Sequence, residues 1–136
     1  MSIRRTSHAR YELWYHIAWC TKYRRHVFTN TEVKQATVRL LRKIAEAYDM
    51  QVDKIEVLSD HVHLLLSAPP RIDPSRAVQI LKSISTKALL THYPWLRTKY
   101  YWGGEIWVGG YFIRSAGPGL TKEDLVKYIE EQSEEE

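Results

Sequence analysis

A chain of 136 residues has room for one domain with a sizeable core. Its 44% hydrophobic and 26% charged residues, with five Trp and nine Tyr, exclude a disordered or low-complexity polymer, and no apolar run approaches the roughly 20 residues that span a bilayer. The net charge of +4 divides into +9 over the first 120 residues and −5 over the last sixteen, so a basic body that favours a polyanion, most often nucleic acid, carries an acidic, solvated helix end and tail.

Met1–Arg10 is basic but no apolar segment follows, which argues against a signal peptide. Residues 11–21 (YELWYHIAWCT) read as a strand, apolar on both faces and hence central. Within it lies the single cysteine, Cys20, which has no intramolecular disulfide partner and so points to a reducing compartment, the cytoplasm. Lys22 to His26 is a basic turn. Asn30 or Thr31 caps a helix to about Tyr48, with Val33, Ala36, Thr37, Leu40, Leu41, Ile44 and Ala47 at helical spacing. Residues 50–58 alternate as a strand, Ser59-Asp60 turns, and residues 61–67 (HVHLLLS) form another strand that Pro69-Pro70 stops. Asp73 caps a second helix with Pro74 at its first position; it runs to about His92, and Pro94 ends it. Residues 105–114 are extended, as a Gly109-Gly110 hairpin or as one bulged strand. After Gly117-Pro118-Gly119, Thr121 caps a last helix over about 121–132, with Asp124 approximating a capping box.

The order β-α-β-β-α-β-α predicts an α+β fold. It is a ferredoxin-like, split βαβ antiparallel sheet with two helices on one face, plus a C-terminal helix, in one domain over 1–136. The first and third strands become central neighbours. The other sheet face is left for a ligand or a partner.

His61 and His63, two apart on a strand, project to one face, while Val62 points to the core. Two neutral imidazoles so placed can hold one metal ion, although such a pair also occurs as a plain surface pair. Asp60 beside them is a further ligand or an orienting group behind one. On the last helix Tyr128 and Gln132 lie four apart and share a face. Leu125, Tyr128 and Ile129 also make an ordinary amphipathic stripe, so this Tyr can equally be packing. An amide oxygen from Gln132 is a hard, neutral ligand one turn from a phenol able to attack phosphorus.

These residues resemble the single-tyrosine HUH transposases of small bacterial and archaeal insertion sequences. The resemblance runs through five ordered blocks: HIAWCTKYRR (16–25), DHVHLLL (60–66), LKSIS (81–85), WVGGYFIRSAG (107–117) and YIEEQ (128–132). Gly117-Pro118-Gly119 departs from the family's usual single glycine. The resemblance implies an enzyme that cuts and rejoins single-stranded DNA without ATP. Tyr128 would be the nucleophile, forming a 5′-phosphotyrosine link and a free 3′-hydroxyl. A divalent metal, Mg²⁺ or Mn²⁺, would sit on His61, His63 and Gln132; the donors alone would suit Zn²⁺ equally. His16 matches a frequent family histidine that orients the site or is simply a satisfied buried ring. Imperfect hairpins near the element's ends are the implied DNA. A homodimer is implied as the working unit, with the last helix serving either the partner's histidine pair or its own sheet.

The basic segments give the candidate DNA contacts. Lys22, Arg24 and Arg25 in the turn, Lys82 and Lys87 on the second helix, and Arg4, Arg5 and Arg10 are placed for phosphates. Tyr100, Tyr101 and Trp102 form a cluster for stacking bases or for packing. Two other classes stay open. A non-catalytic ferredoxin-like nucleic-acid-binding module accounts for charge and aromatics without chemistry. An HUH replication-initiator nuclease shares the chemistry but normally brings a longer chain.

Overall fold

The computed structural model describes residues 3–6, 8–100, 103–116 and 122–135, with the side chains at 122, 128 and 132–135 outside the described set. A short ladder of β1 (Arg4–Arg5) and β2 (Arg10–Tyr11) precedes β3 (Trp14–Cys20), α1 (Thr31–Ala47), β4 (Gln51–Val57) and β5 (His61–Ser67). Then follow α2 (Pro74–His92), α3 (Trp95–Tyr100), β6 (Phe112–Ser115) and α4 (Lys122–Glu135). The sheet order is β4-β5-β3-β6 with every pair antiparallel, so the first and third long strands are indeed neighbours. The expected ferredoxin-like α+β arrangement is what the chain adopts.

The helices start where short polar side chains replace missing backbone partners. Asn30 Oδ1 accepts from the Val33 amide at 3.0 Å, and Asp73 Oδ1 accepts from the Arg76 amide at 2.8 Å. Pro74 opens α2, where its absent N–H leaves nothing unpaired. Val33, Leu41, Ile44, Val78, Leu81 and Leu89 then close over Ile17, Trp19, Val62, Leu64 and Leu66, forming the main core between the helices and one sheet face.

Two expectations change, and one open pair of alternatives is decided. The strand read from residue 11 begins at Trp14, because Tyr11 pairs with Arg4 in the separate ladder. Pro94 does end α2, but one further turn-and-a-half, α3, follows and buries Leu96. Residues 105–114 are not a hairpin. Trp107 bridges Thr21 and Phe112 pairs with Ala18, so five steps on one strand match three on the other and the segment between bulges outward. The expectations at Tyr101, Trp102, Gly117-Pro118-Gly119 and Thr121 lie outside the described residues.

The opposite sheet face carries Trp14, His16, Ala18 and Cys20 from β3 and His61, His63 and Leu65 from β5. It is not left wholly open. Leu125 and Ile129 of α4 bury against Trp14 and Leu65, and Glu130 reaches Lys54 at 3.6 Å. Within the one chain, helix α4 thus packs on its own sheet.

Candidate active site

The β4–β5 turn and the end of β3 are fastened together before any functional group is placed. The Thr21 amide donates to the Asp60 carbonyl at 2.8 Å, and its buried hydroxyl lies between the carbonyls of Arg25 and Asp60. That fixes both the basic turn and the first residue before His61. Within the turn Tyr23 and Arg24 adopt φ of 60° and 53°. Left-handed backbone at two successive non-glycine residues is strained and persists only where neighbours hold it. Here Arg24 Nε donates to Asp60 Oδ2 at 2.9 Å.

The other Asp60 oxygen lies 2.6 Å from His61 Nδ1. Both Asp60 oxygens are thus engaged, one by Arg24 and the other by His61, an arrangement that suits an orienting group behind His61. Burial pushes its pKa up, but hydrogen bonds from His61 and Arg24 outweigh that and hold it below the ordinary carboxylate value. With Nδ1 so engaged, His61 presents Nε2. His63 is fixed by the neighbouring strand, its Nδ1 lying 2.9 Å from His16 Nε2. The His61 and His63 rings stand with centroids 4.9 Å apart. His16 and His63 are both lowered to about 4, chiefly by burial, with Arg114 adding to the effect on His16 and the other two histidines to that on His63. Neutral imidazoles are the protonation state that metal binding requires.

The donor set would fit a divalent ion at the His61–His63 pair, with the buried His16 hydrogen-bonded to His63. Among the described residues no three His, Cys, Asp or Glu side chains converge on one point. A third ligand to such an ion would come from elsewhere, and the side chains of Gln132 and Tyr128 lie outside the described set. Their helix is docked on Leu65, two residues along the face from His63.

Several basic residues have partners within the chain. Lys82, read as a phosphate contact, donates to the carbonyls of Val108 and Gly110 at 2.8 and 2.7 Å; its ammonium is a structural tie. Arg4 donates to the carbonyls of Ser67 and Asp49. Lys22 pairs with Glu105 at 3.1 Å, and that hydrogen bond raises its pKa. Arg25 lies over the exposed Tyr23 ring at 5.8 Å, Lys87 is exposed on α2, and Tyr100 packs partly buried against the main core. Tyr111 and Phe112, read from sequence only within the 107–117 block and given no role there, line the same cavity as the histidine pair. Alternation along β6 carried the signal, since Phe112 and Arg114 must share the face of His16.

Two outcomes follow from this geometry. Asp60→Asn should weaken Mn²⁺ binding about 10- to 100-fold, the usual effect of losing a carboxylate behind a ligand histidine, measured by calorimetry. Separately, His16 and His63 are neutral in the fold but take protons near 6.5 when unfolded. Their contribution to stability is whole above pH 6.5 and declines as pH falls toward 4. The slope approaches about 1.4 kcal/mol per pH unit for each ring. Urea unfolding in EDTA at pH 7, 6 and 5 should show it.

Residues 9–132 match the family described as "Transposase IS200 like". The chain is 40% identical over 126 residues to the ISDra2 transposase TnpA of Deinococcus radiodurans, covering 93% of this chain and 88% of that protein. It is 33% identical over 130 residues to the transposase for insertion sequence element IS200 of Salmonella typhimurium, covering 96% and 83%. Among solved structures it resembles a Deinococcus radiodurans R1 protein assigned as a transposase, with TM-score 0.76, 32% identity and coverage of 96% and 98%. A REP-associated tyrosine transposase bound to a REP hairpin shares the fold, with TM-score 0.66, 18% identity and coverage of 99% and 74%. A histidine pair backed by a carboxylate, on a sheet of this order, thus lies in a chain that belongs to the IS200-like transposase family.

Proposed function

We propose that this transposase cuts and rejoins single-stranded DNA at the ends of an insertion sequence, with Tyr128 as nucleophile and a divalent cation, Mg²⁺ or Mn²⁺, on His61, His63 and Gln132. One observation carries the reading. The Nδ1 atoms of His61 and His63 are occupied by Asp60 and His16, and this pair shares its sheet face with the docked helix that bears Tyr128 and Gln132.

The Tyr128 oxygen forms a bond to the scissile phosphorus as the bond from phosphorus to the 3′-oxygen breaks. The phenolic proton leaves Tyr128 and the departing 3′-oxygen gains one, giving a 5′-phosphotyrosine and a free 3′-hydroxyl. When bound, the cation neutralises charge on the scissile phosphate and on the departing oxygen. Asp60 and His16 hold the two imidazoles in place for it. Phenol has a pKa near 10, so the Tyr128 phenolate is a better leaving group from phosphorus than an alkoxide. A 3′-hydroxyl can therefore reverse the attack, and the bond is conserved for strand transfer.

The DNA is read as single strands with hairpins, as one fold relative is bound to a hairpin. Lys22, Arg24, Arg25 and Lys87 supply cations. Affinity should fall with salt at a log–log slope of about −0.7 per phosphate neutralised, and replacing Lys22, Arg24 and Arg25 together should flatten it. An unchanged slope would show that the basic turn faces away from DNA. The working unit is read as a homodimer. Among the described residues the α4 contact with its own sheet consists of Leu125 and Ile129 on Trp14 and Leu65 and the Glu130–Lys54 pair, and the same contact made on a partner could replace it. The cytoplasm is the compartment of this reading. Among the described residues no helix is long and apolar enough to cross a membrane.

The test is a denaturing gel after incubation with labelled single strands from the gene's own genomic flanks and Mg²⁺. A covalent protein–DNA band that EDTA removes is expected. Retained binding with no band would favour a non-catalytic module.

A further inference from the structure

The outward bulge between Trp107 and Phe112 is pinned from below by α2. The Trp107 indole donates to Ser85 Oγ at 2.9 Å, and Lys82 Nζ holds the Val108 and Gly110 carbonyls. Lys82 also lies 5.9 Å from the ring centres of Trp19 and Tyr111. Burial lowers its pKa from the ordinary value. A segment with two glycines and no regular pairing is thereby given a set shape.

That shape keeps apolar groups in solvent. Val108, Tyr111 and Phe112 are 40%, 41% and 46% exposed. They wall one side of a cavity of about 480 Å³ whose other lining includes Ala18, Cys20, His61, His63 and Arg24. The Phe112 ring meets His16 edge-on at 5.4 Å, so it adjoins the histidine row directly. Cavities of this size are typical of small-ligand sites. Flat apolar rings beside a guanidinium and a candidate metal pair match one ligand chemistry, a nucleobase attached to a phosphate.

We propose that this cavity is a nucleobase subsite: it receives the unpaired base of a nucleotide adjoining the scissile phosphate, stacked on Tyr111 or Phe112, with Lys82 and Ser85 as positioning residues for that wall. The inference rests on the histidine pair as the phosphate site. It adds a reading of Lys82 and Ser85, in the LKSIS block (81–85), as an internal clamp.

The test combines base removal with side-chain removal. Genomic-flank single strands carry an abasic residue at each position next to the cleaved bond in turn. At one position wild-type single-turnover cleavage should fall about five- to a hundredfold, the range of one base–aromatic stack. Tyr111→Leu or Phe112→Leu should show a similar loss on intact DNA and little further loss on the abasic strand. Lys82→Met should behave like the weaker of these two with an unchanged melting temperature. A readout independent of cleavage uses 2-aminopurine at the same position: binding should quench it in wild type and not in the leucine variant. Equal abasic losses in wild type and both leucine variants, with equal quenching, would overturn the subsite. Quenching that depends on Tyr111 or Phe112 without any cleavage would leave the subsite standing and refute the proposed chemistry instead.

Discussion

Tyr128→Phe will abolish strand cleavage and the covalent adduct together while DNA binding persists. The substitution removes one oxygen and keeps the ring. Among the described residues the helix is fastened by Leu125 and Ile129 on Trp14 and Leu65 and by Glu130 on Lys54, all of which the substitution keeps. The melting temperature should therefore stay close to wild type. Water cannot stand in for the phenol in a reaction whose product must conserve the phosphodiester bond energy, so no slow strand transfer should remain. Binding, carried by basic side chains, should change by no more than a few fold.

His61→Ala and His63→Ala should each lower cleavage by at least about a thousandfold, since charge stabilisation by a bound metal amounts to several kcal/mol at the transition state. The two are not equivalent. Loss of His61 leaves Asp60 paired with Arg24, so the fold should be little affected. Loss of His63 removes the 2.9 Å partner of the buried His16 and opens a gap in the sheet face, which should also cost about 1–3 kcal/mol in urea unfolding. Chelation of wild type should reproduce the His61→Ala phenotype. Undiminished cleavage in EDTA would remove the metal from the account. Mixing Tyr128→Phe with His61→Ala protomers probes the dimer: if helices are exchanged, about a quarter to a half of activity returns in mixed dimers, because one composite site regains both parts.

The topology was legible because the apolar periods are clean. Helices α1 and α2 carry stripes at 3.6-residue spacing with Asn30 and Asp73 at their starts, and HVHLLLS has the continuous apolar run of a central strand. The His61–His63 pair was legible for the same reason, since a period of two puts both on one face. What surrounds the pair was not. That Asp60 turns back onto His61, that Arg24 reaches Asp60 from a left-handed turn, and that Lys82 closes on carbonyls 26 and 28 residues away are long-range choices. Local pattern gives a lysine on a helix the same appearance whether it faces a phosphate or a carbonyl. The 105–114 segment was obscured by Gly109-Gly110, which permits a hairpin and a bulge equally. Pairing with β3 decides between them.

The most direct measurement is peptide mapping by mass spectrometry of the adduct trapped on genomic-flank single-stranded DNA with Mg²⁺. Nuclease digestion should leave a nucleotide remnant, and the account places it on the peptide containing Tyr128, joined through a 5′-phosphate. A remnant on any of the other eight tyrosines, or on Tyr128 through a 3′-phosphate, would contradict it.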